Sequence, residues 1–191
     1  MGKTIRTDEN VLIEIKKSKF IGYSFFCENV EMANEYIKAV ILEHKKDTHV
    51  CFAYIINSNE KASDDGEPQG TAGVPILDVL KKQKLENVLA IVVRYFGGIK
   101  LGAGGLVRAY SETAATVVEK SELADLLKVK HCKTTLNYGE ETMLNLLKNN
   151  EHVYNVKVDY VDKMEITFDV ENGYQLKEFE VVELDEKLIR V

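Results

Sequence analysis

Five of the twelve glycines in this chain, Gly97, Gly98, Gly102, Gly104 and Gly105, fall between positions 97 and 105. They lie in the stretch Arg94-Tyr95-Phe96-Gly97-Gly98-Ile99-Lys100-Leu101-Gly102-Ala103-Gly104-Gly105-Leu106-Val107-Arg108-Ala109-Tyr110. An apolar run, Val88 to Val93, leads in, and a run with helical spacing, Leu106 to Lys120, leads out. A strand buried on both faces must therefore hand over to a helix through a segment dense in glycine. Three cations, Arg94, Lys100 and Arg108, stand in the stretch, and no acid. Glycine lacks a Cβ, so such a loop can take positive φ and let another molecule approach the main chain. A loop that opens a helix also presents free N–H groups backed by the partial positive charge of the helix end. The stretch is built to receive an anion. The competing explanation is a tight junction that needs small residues for packing. Five glycines, each costing backbone entropy, exceed what one turn requires. The spacing is neither a Walker A motif nor a dinucleotide fingerprint, so no nucleotide motif supports the anion reading.

The net charge is −6, which excludes a general polyanion binder and confines any such site to a local patch. Three cysteines, Cys27, Cys51 and Cys132, are too few and too scattered for a disulfide framework or a zinc site. They suit a reducing, cytoplasmic setting. The polar, charged first ten residues show no signal peptide, and no apolar stretch approaches the roughly 20 residues that span a bilayer.

Along the chain, Val11 to Ile15 and Phe20 to Cys27 read as a hairpin around the polar link Lys16 to Lys19. Val30 to His44 has helical spacing, and His49 to Ile56 reads as a third strand. Asn57 to Gly73 reads as loop, Pro75 to Lys84 as a short helix, and Val88 to Val93 as a fourth strand. The pattern changes near Leu126. Beyond it come strand Val129 to Tyr138, helix Glu140 to Asn150, strands Val153 to Val161 and Met164 to Val170, helix Tyr174 to Leu184 and strand Lys187 to Val191. That βαββαβ order is the ferredoxin-like unit. The expectation is an α+β chain of two domains, 1–126 and 127–191.

A second loop, Ser63-Asp64-Asp65-Gly66-Glu67-Pro68-Gln69-Gly70-Thr71-Ala72-Gly73-Val74-Pro75, holds three close carboxylates and both prolines of the chain. Asp64, Asp65 and Glu67 could hold Mg²⁺ or serve as acid and base. Alternatively they accept bonds from loop N–H groups and stiffen a turn, which is the preferred reading for the carboxylates alone, and the acidic loop could also be salt-bridged to the basic glycine loop and hold the two together. His49 shares a strand face with Cys51, but without a third orienting group a hydrogen-bonded, buried histidine is preferred over a catalytic pair.

Taken together, Ser18-Lys19-Phe20-Ile21, Thr48-His49-Val50-Cys51-Phe52-Ala53-Tyr54, Asp64 to Gly73 and Val93 to Tyr110 resemble the IMPACT / YigZ family over residues 5 to 120. Asp47 stands where that family would have a small residue. The resemblance implies a first domain like the second domain of ribosomal protein S5, a fold shared with elongation factor G domain IV and ribonuclease PH. It implies a second domain like elongation factor G domain V. Eukaryotic relatives restrain translational control in the amino-acid-starvation pathway by competing for a kinase activator. For bacterial members nucleic-acid or ribosome binding is the usual suggestion.

The sequence thus leads to a non-enzymatic, translation-linked regulatory protein with no cofactor. It would bind structured RNA or a ribosomal surface through Arg94, Gly97, Gly98, Lys100, Gly102, Gly104, Gly105 and Arg108. The alternative is a metal-assisted hydrolase or transferase acting on a phosphorylated or nucleotide-like substrate. There Asp64, Asp65 and Glu67 would bind Mg²⁺, and these or His49 would supply the base. A third reading is a protein-interaction module alone.

Overall fold

A computed structural model describes residues 2–44 and 48–191, and Asp47 lies outside the described residues. The chain divides into two compact units, 1–126 with Arg190, and 127–189 with Val191.

The first unit begins with β1 (Gly2–Ile5), β2 (Glu9–Ile15) and β3 (Ser18–Phe26). Then come α1 (Val30–Glu43), β4 (Thr48–Ile56), β5 (Asn59–Ser63), α2 (Gly73–Lys82), β6 (Val88–Tyr95) and α3 (Ala103–Lys120). β7 (Leu123–Leu136) follows, and its opening residues pair with β1. The main sheet has the order β2-β3-β6-β4-β5, with every pairing antiparallel. β2 and β3 join through Lys16 and Lys17, both at positive φ, as a two-residue hairpin turn requires.

β6 is central and buried on both faces, so alternate side chains divide between two layers. Leu89, Ile91 and Val93 face α1, where Ala33, Ile37 and Val40 complete the core with Val50, Tyr54 and Ile56. Each fully buried Leu or Ile there stabilises the fold by about 1.5–3 kcal/mol. α1 starts where Asn29 accepts a bond from the Met32 N–H at 2.8 Å, a side-chain N-cap. α2 and α3 lie on the opposite face. Gly22 permits that packing, because a Cβ there would stand 2.9 Å from the Thr113 methyl.

Two edge strands depart from the sequence reading. β5 occupies part of the segment 57–73 expected to be loop, and β1 lies in the polar N-terminal stretch. Asn59-Glu60-Lys61-Ala62-Ser63 carries no apolar alternation because it is a largely exposed edge.

The second unit contains the later part of β7, then α4 (Glu141–Lys148), β8 (Val153–Tyr160), β9 (Met164–Glu171) and β10 (Val182–Arg190). β9 pairs with both β7 and β8, and β10 pairs with β7. One sheet face packs Cys132, Ile166, Phe168 and Val170 against Leu144 and Leu147 of α4. The expected βαββαβ order is corrected here. No helix spans Tyr174 to Leu184, and the segment turns irregularly before β10. Leu176, Phe179 and Val181 still pack on the core, and the Thr134 hydroxyl ties the Glu180 carbonyl at 2.7 Å. An apolar spacing that mimics a helix is satisfied by a pinned loop.

On the other sheet face Asp169 is fully buried. Its carboxylate accepts from Lys187 Nζ at 2.8 Å, His131 Nδ1 at 2.7 Å and Asn155 Nδ2 at 2.7 Å. Burial alone would push this carboxyl up, but the Lys187, Asn155 and His131 donors together hold it below the usual range. Asn155 reaches inward from a register shift between Tyr154 and Lys157.

Candidate functional site: the glycine loop and the start of α3

Strand parity decides the role of Arg94. It sits on the same β6 face as Ala90 and Val92, the face covered by α2 and α3, and so points inward. It is 6% exposed. Its Nη1 donates to Glu67 Oε1 at 2.8 Å, and its guanidinium lies 5.7 Å from the Phe20 ring centroid and 5.5 Å from that of Phe96. Its Nε–H is buried with no partner among the described residues. The expectation that Arg94 offers its charge at the surface is corrected by this pairing.

Glu67 is buried and also accepts from the Tyr110 hydroxyl at 2.8 Å. The Cys51 thiol donates to the Asp64 carbonyl at 2.9 Å and lies 3.5 Å from the Tyr110 hydroxyl. Burial pushes that thiol up to about 12, so it stays protonated and unreactive at neutral pH. Burial, then Cys51 and Glu67, also raise the Tyr110 hydroxyl, which remains a donor. Tyr110, Glu67 and Arg94 form one hydrogen-bonded chain under the loop, with the Cys51 thiol beside it.

The acidic loop is braced from within. Asp64 accepts from the N–H groups of Gly70, Ala72 and Gly73 at 2.8, 3.0 and 2.8 Å. Burial acts to raise its carboxyl, yet these main-chain donors hold it below the usual range. Asp65 Oδ2 accepts from the Val50 N–H at 2.7 Å, extending β4 pairing just beyond the end of β5. The Asp65 carbonyl accepts from His49 Nδ1 at 2.8 Å. A carbonyl only accepts, so this bond places a proton on Nδ1. His49 is half-buried, not buried as expected, and it lines a cavity. Among the described residues no group of three or more His, Cys, Asp or Glu is placed to hold a metal ion.

The glycines divide by role. Gly97 is internal. Its N–H donates to Ser18 Oγ at 3.1 Å, and a Cβ on it would stand 2.0 Å from the Lys17 carbonyl. The loop is therefore docked on the β2–β3 turn. Gly102, at φ 72°, turns the chain into α3 without a side-chain cap. Gly98 also has positive φ, and Gly105 contacts the Leu101 side chain. Gly104 has neither constraint, because a Cβ there would meet nothing within 4 Å.

The N–H groups of Ala103, Gly104 and Gly105 take no hydrogen bond among the described residues, and the Leu106 N–H bonds back to Gly102. Lys100 and Arg108 are exposed and have no ion-pair partner among the described residues. A cavity of about 300 Å³ opens beside this helix start, bounded by Pro68, Phe96 and Leu101 and reached by Lys100 and Arg94. A second cavity of about 470 Å³ shares Phe96 and is lined by Tyr95, Lys17 and Lys19. The sequence reading missed Tyr110, Phe96 and the Ser18 hydroxyl. For Tyr110 the signal was its helical spacing from Leu106, Ala109 and Thr113, which puts it on the buried face of α3.

Residues 16–118 match the family model of the Impact N-terminal domain. The chain is similar to the IMPACT family member YvyE of Bacillus subtilis, 44% identical over 146 residues, covering 72% of this chain and 63% of that protein. It is similar to an IMPACT family member of Haemophilus influenzae, 37% identical, covering 70% of this chain and 68% of that protein. Similarity to the IMPACT family member YigZ of Escherichia coli is 44% over 105 residues, covering 52% of each. The match thus spans less than two thirds of the B. subtilis relative's length. A solved structure titled as that of a hypothetical protein aligns with TM-score 0.62 and 29% identity, covering 88% of this chain and 84% of that one. It agrees with the mixed α+β architecture. No helix among the described residues is long and apolar enough to cross a membrane.

Proposed function

We propose that this chain, which belongs to the IMPACT family, is a translation-linked regulatory protein that binds structured RNA, free or on a ribosomal surface. The observation that carries this reading is the start of α3. Unpaired N–H groups at Ala103, Gly104 and Gly105 stand with Lys100 and Arg108 at an exposed turn whose own sequence holds no acid. Such a turn suits phosphate oxygens, and Gly104 leaves room for them to come close. Beside it, the exposed rings of Tyr95 and Phe96 adjoin Lys17 and Lys19. Aromatic rings beside cations suit unpaired RNA bases, at about 1–3 kcal/mol per stacked base. Arg94 supports the loop from below and is not assigned a phosphate contact. The fold implied by the family resemblance favours the same reading by analogy.

The metal-assisted alternative finds less support, because Asp64 and Asp65 already bind main-chain N–H groups and Glu67 is paired with Arg94.

The test is binding of the purified chain to ribosomes and to a structured RNA across a salt series, beside Lys100→Ala/Arg108→Ala. The expected result is a steep fall of affinity with salt in the wild type, with the log–log slope reduced by about two in the double variant. An unchanged slope would show that RNA is met elsewhere or not at all.

A further inference from the structure

We propose that the cavity beside α3 binds a small organic anion, a phosphate or carboxylate head carried on a flat apolar body. The inference shares Lys100 and the start of α3 with the RNA reading and adds to them the cavity alongside, with its apolar wall and Arg94. Its volume of about 300 Å³ is at the lower end for small-molecule sites. Pro68, Phe96, Leu101 and Leu106 give it an apolar wall, and Phe96 leaves 57% of its surface to solvent when nothing lies on it. A flat body would cover that ring.

The polar side of the cavity is electropositive. Glu67 and Arg94 cancel as an ion pair at 2.8 Å. What remains is the Lys100 ammonium and the α3 terminus, equivalent to roughly half a positive charge, with its unpaired N–H groups. Arg94 supplies the independent sign of a missing ligand. It lines the cavity and is more than nine-tenths buried, yet its Nε–H has no acceptor among the described residues. Buried donors are ordinarily satisfied. An anionic oxygen in the cavity that draws the Arg94 Nε–H toward it would complete Arg94 and the helix terminus together.

The test is an amide and arginine-side-chain NMR titration of the full chain. Its four separate probes are phenyl phosphate, benzoate, inorganic phosphate and benzyl alcohol. The expected result is saturable movement of the Ala103 and Gly104 amides and of the Arg94 Nε–H signal. One aromatic anion should bind at least tenfold more tightly than both inorganic phosphate and benzyl alcohol, and the preferred one identifies the head group. Ala103→Leu, which adds bulk at the cavity wall without removing a charge, should weaken that probe at least tenfold at unchanged melting temperature. RNA binding followed on the same samples separates this inference from the RNA reading. Equal affinity for inorganic phosphate and the aromatic anions would reduce the feature to a bare helix end and overturn the proposal. So would an Arg94 signal that does not move at saturation, or the absence of saturable shifts.

Discussion

Arg94 and Glu67 form a pair whose worth can be measured. Their side chains are 8% and 3% exposed and meet at 2.8 Å, so both charges have left water. Replacing Arg94 by Met leaves the Glu67 carboxylate buried with the Tyr110 hydroxyl as its remaining donor. Breaking a buried pair from one side costs about 3–5 kcal/mol. Glu67→Gln strands the guanidinium instead and should cost a similar amount. The double variant Arg94→Met/Glu67→Gln carries no charge, fills nearly the same space, and keeps an acceptor for Tyr110. It should therefore cost far less than the sum, with a coupling on the order of 3 kcal/mol. The chain has no tryptophan and two compact units, so a single global probe would blend two transitions. Hydrogen exchange of the β4 and β6 amides under mild denaturant reads the first unit alone. Single variants costing under about 1 kcal/mol, with an additive double, would refute the burial and pairing argued here.

Two further predictions concern the loops. Gly97→Ala should destabilise the first unit by at least about 1–3 kcal/mol, because its Cβ would meet the Lys17 backbone. Gly104→Ala meets nothing and should gain up to about 1 kcal/mol of helix preference. The same hydrogen-exchange measurement on β4 and β6 distinguishes them, and a stable Gly97→Ala would show that the loop is not docked on the hairpin. Asp64 has a lowered folded pKa, so its contribution is fully present above the unfolded value near about 3.9 and lost as pH falls through the folded value. Corrected for intrinsic rates, exchange at Gly70, Ala72 and Gly73 should be flat between about pH 7 and 5 and quicken below about pH 4. In Asp64→Asn it should be fast throughout, and unchanged wild-type protection at the acid end would contradict this.

Periodicity made much of the fold legible. The hairpin, α1, β4 and the doubly buried β6 all have cores written as simple alternation or helical spacing. β1 and β5 were hidden because edge strands bury too little to leave a pattern. Leu176, Phe179 and Val181 misled, since their spacing fits a helix although a loop places them on the core. At the site, the glycine loop was conspicuous, and a salt bridge from it to the acidic loop was legible only as an alternative. Arg94 two residues beyond Val92 on a strand buried on both faces had to point inward, and an inward charge needs an acid. Parity alone would have sent it to the acidic loop. It could not have chosen Glu67 over Asp64 or Asp65, which depends on the positive φ of Asp65 and Gly66 turning the chain between them.

The place of β6 between β3 and β4 also governs how the first unit is assembled. The hairpins β2–β3 and β4–β5 precede it along the chain, yet neither pairs with the other. On an emerging nascent chain both would wait with an open inner edge for the strand that joins them. Closure then depends on contacts distant in sequence, which slows folding and prolongs exposure of unpaired edges. Because β6 runs directly into the glycine loop, the segment that would meet a ligand is ordered only in the step that seals the sheet. A chain interrupted before position 88 would display two sticky half-sheets and no binding loop.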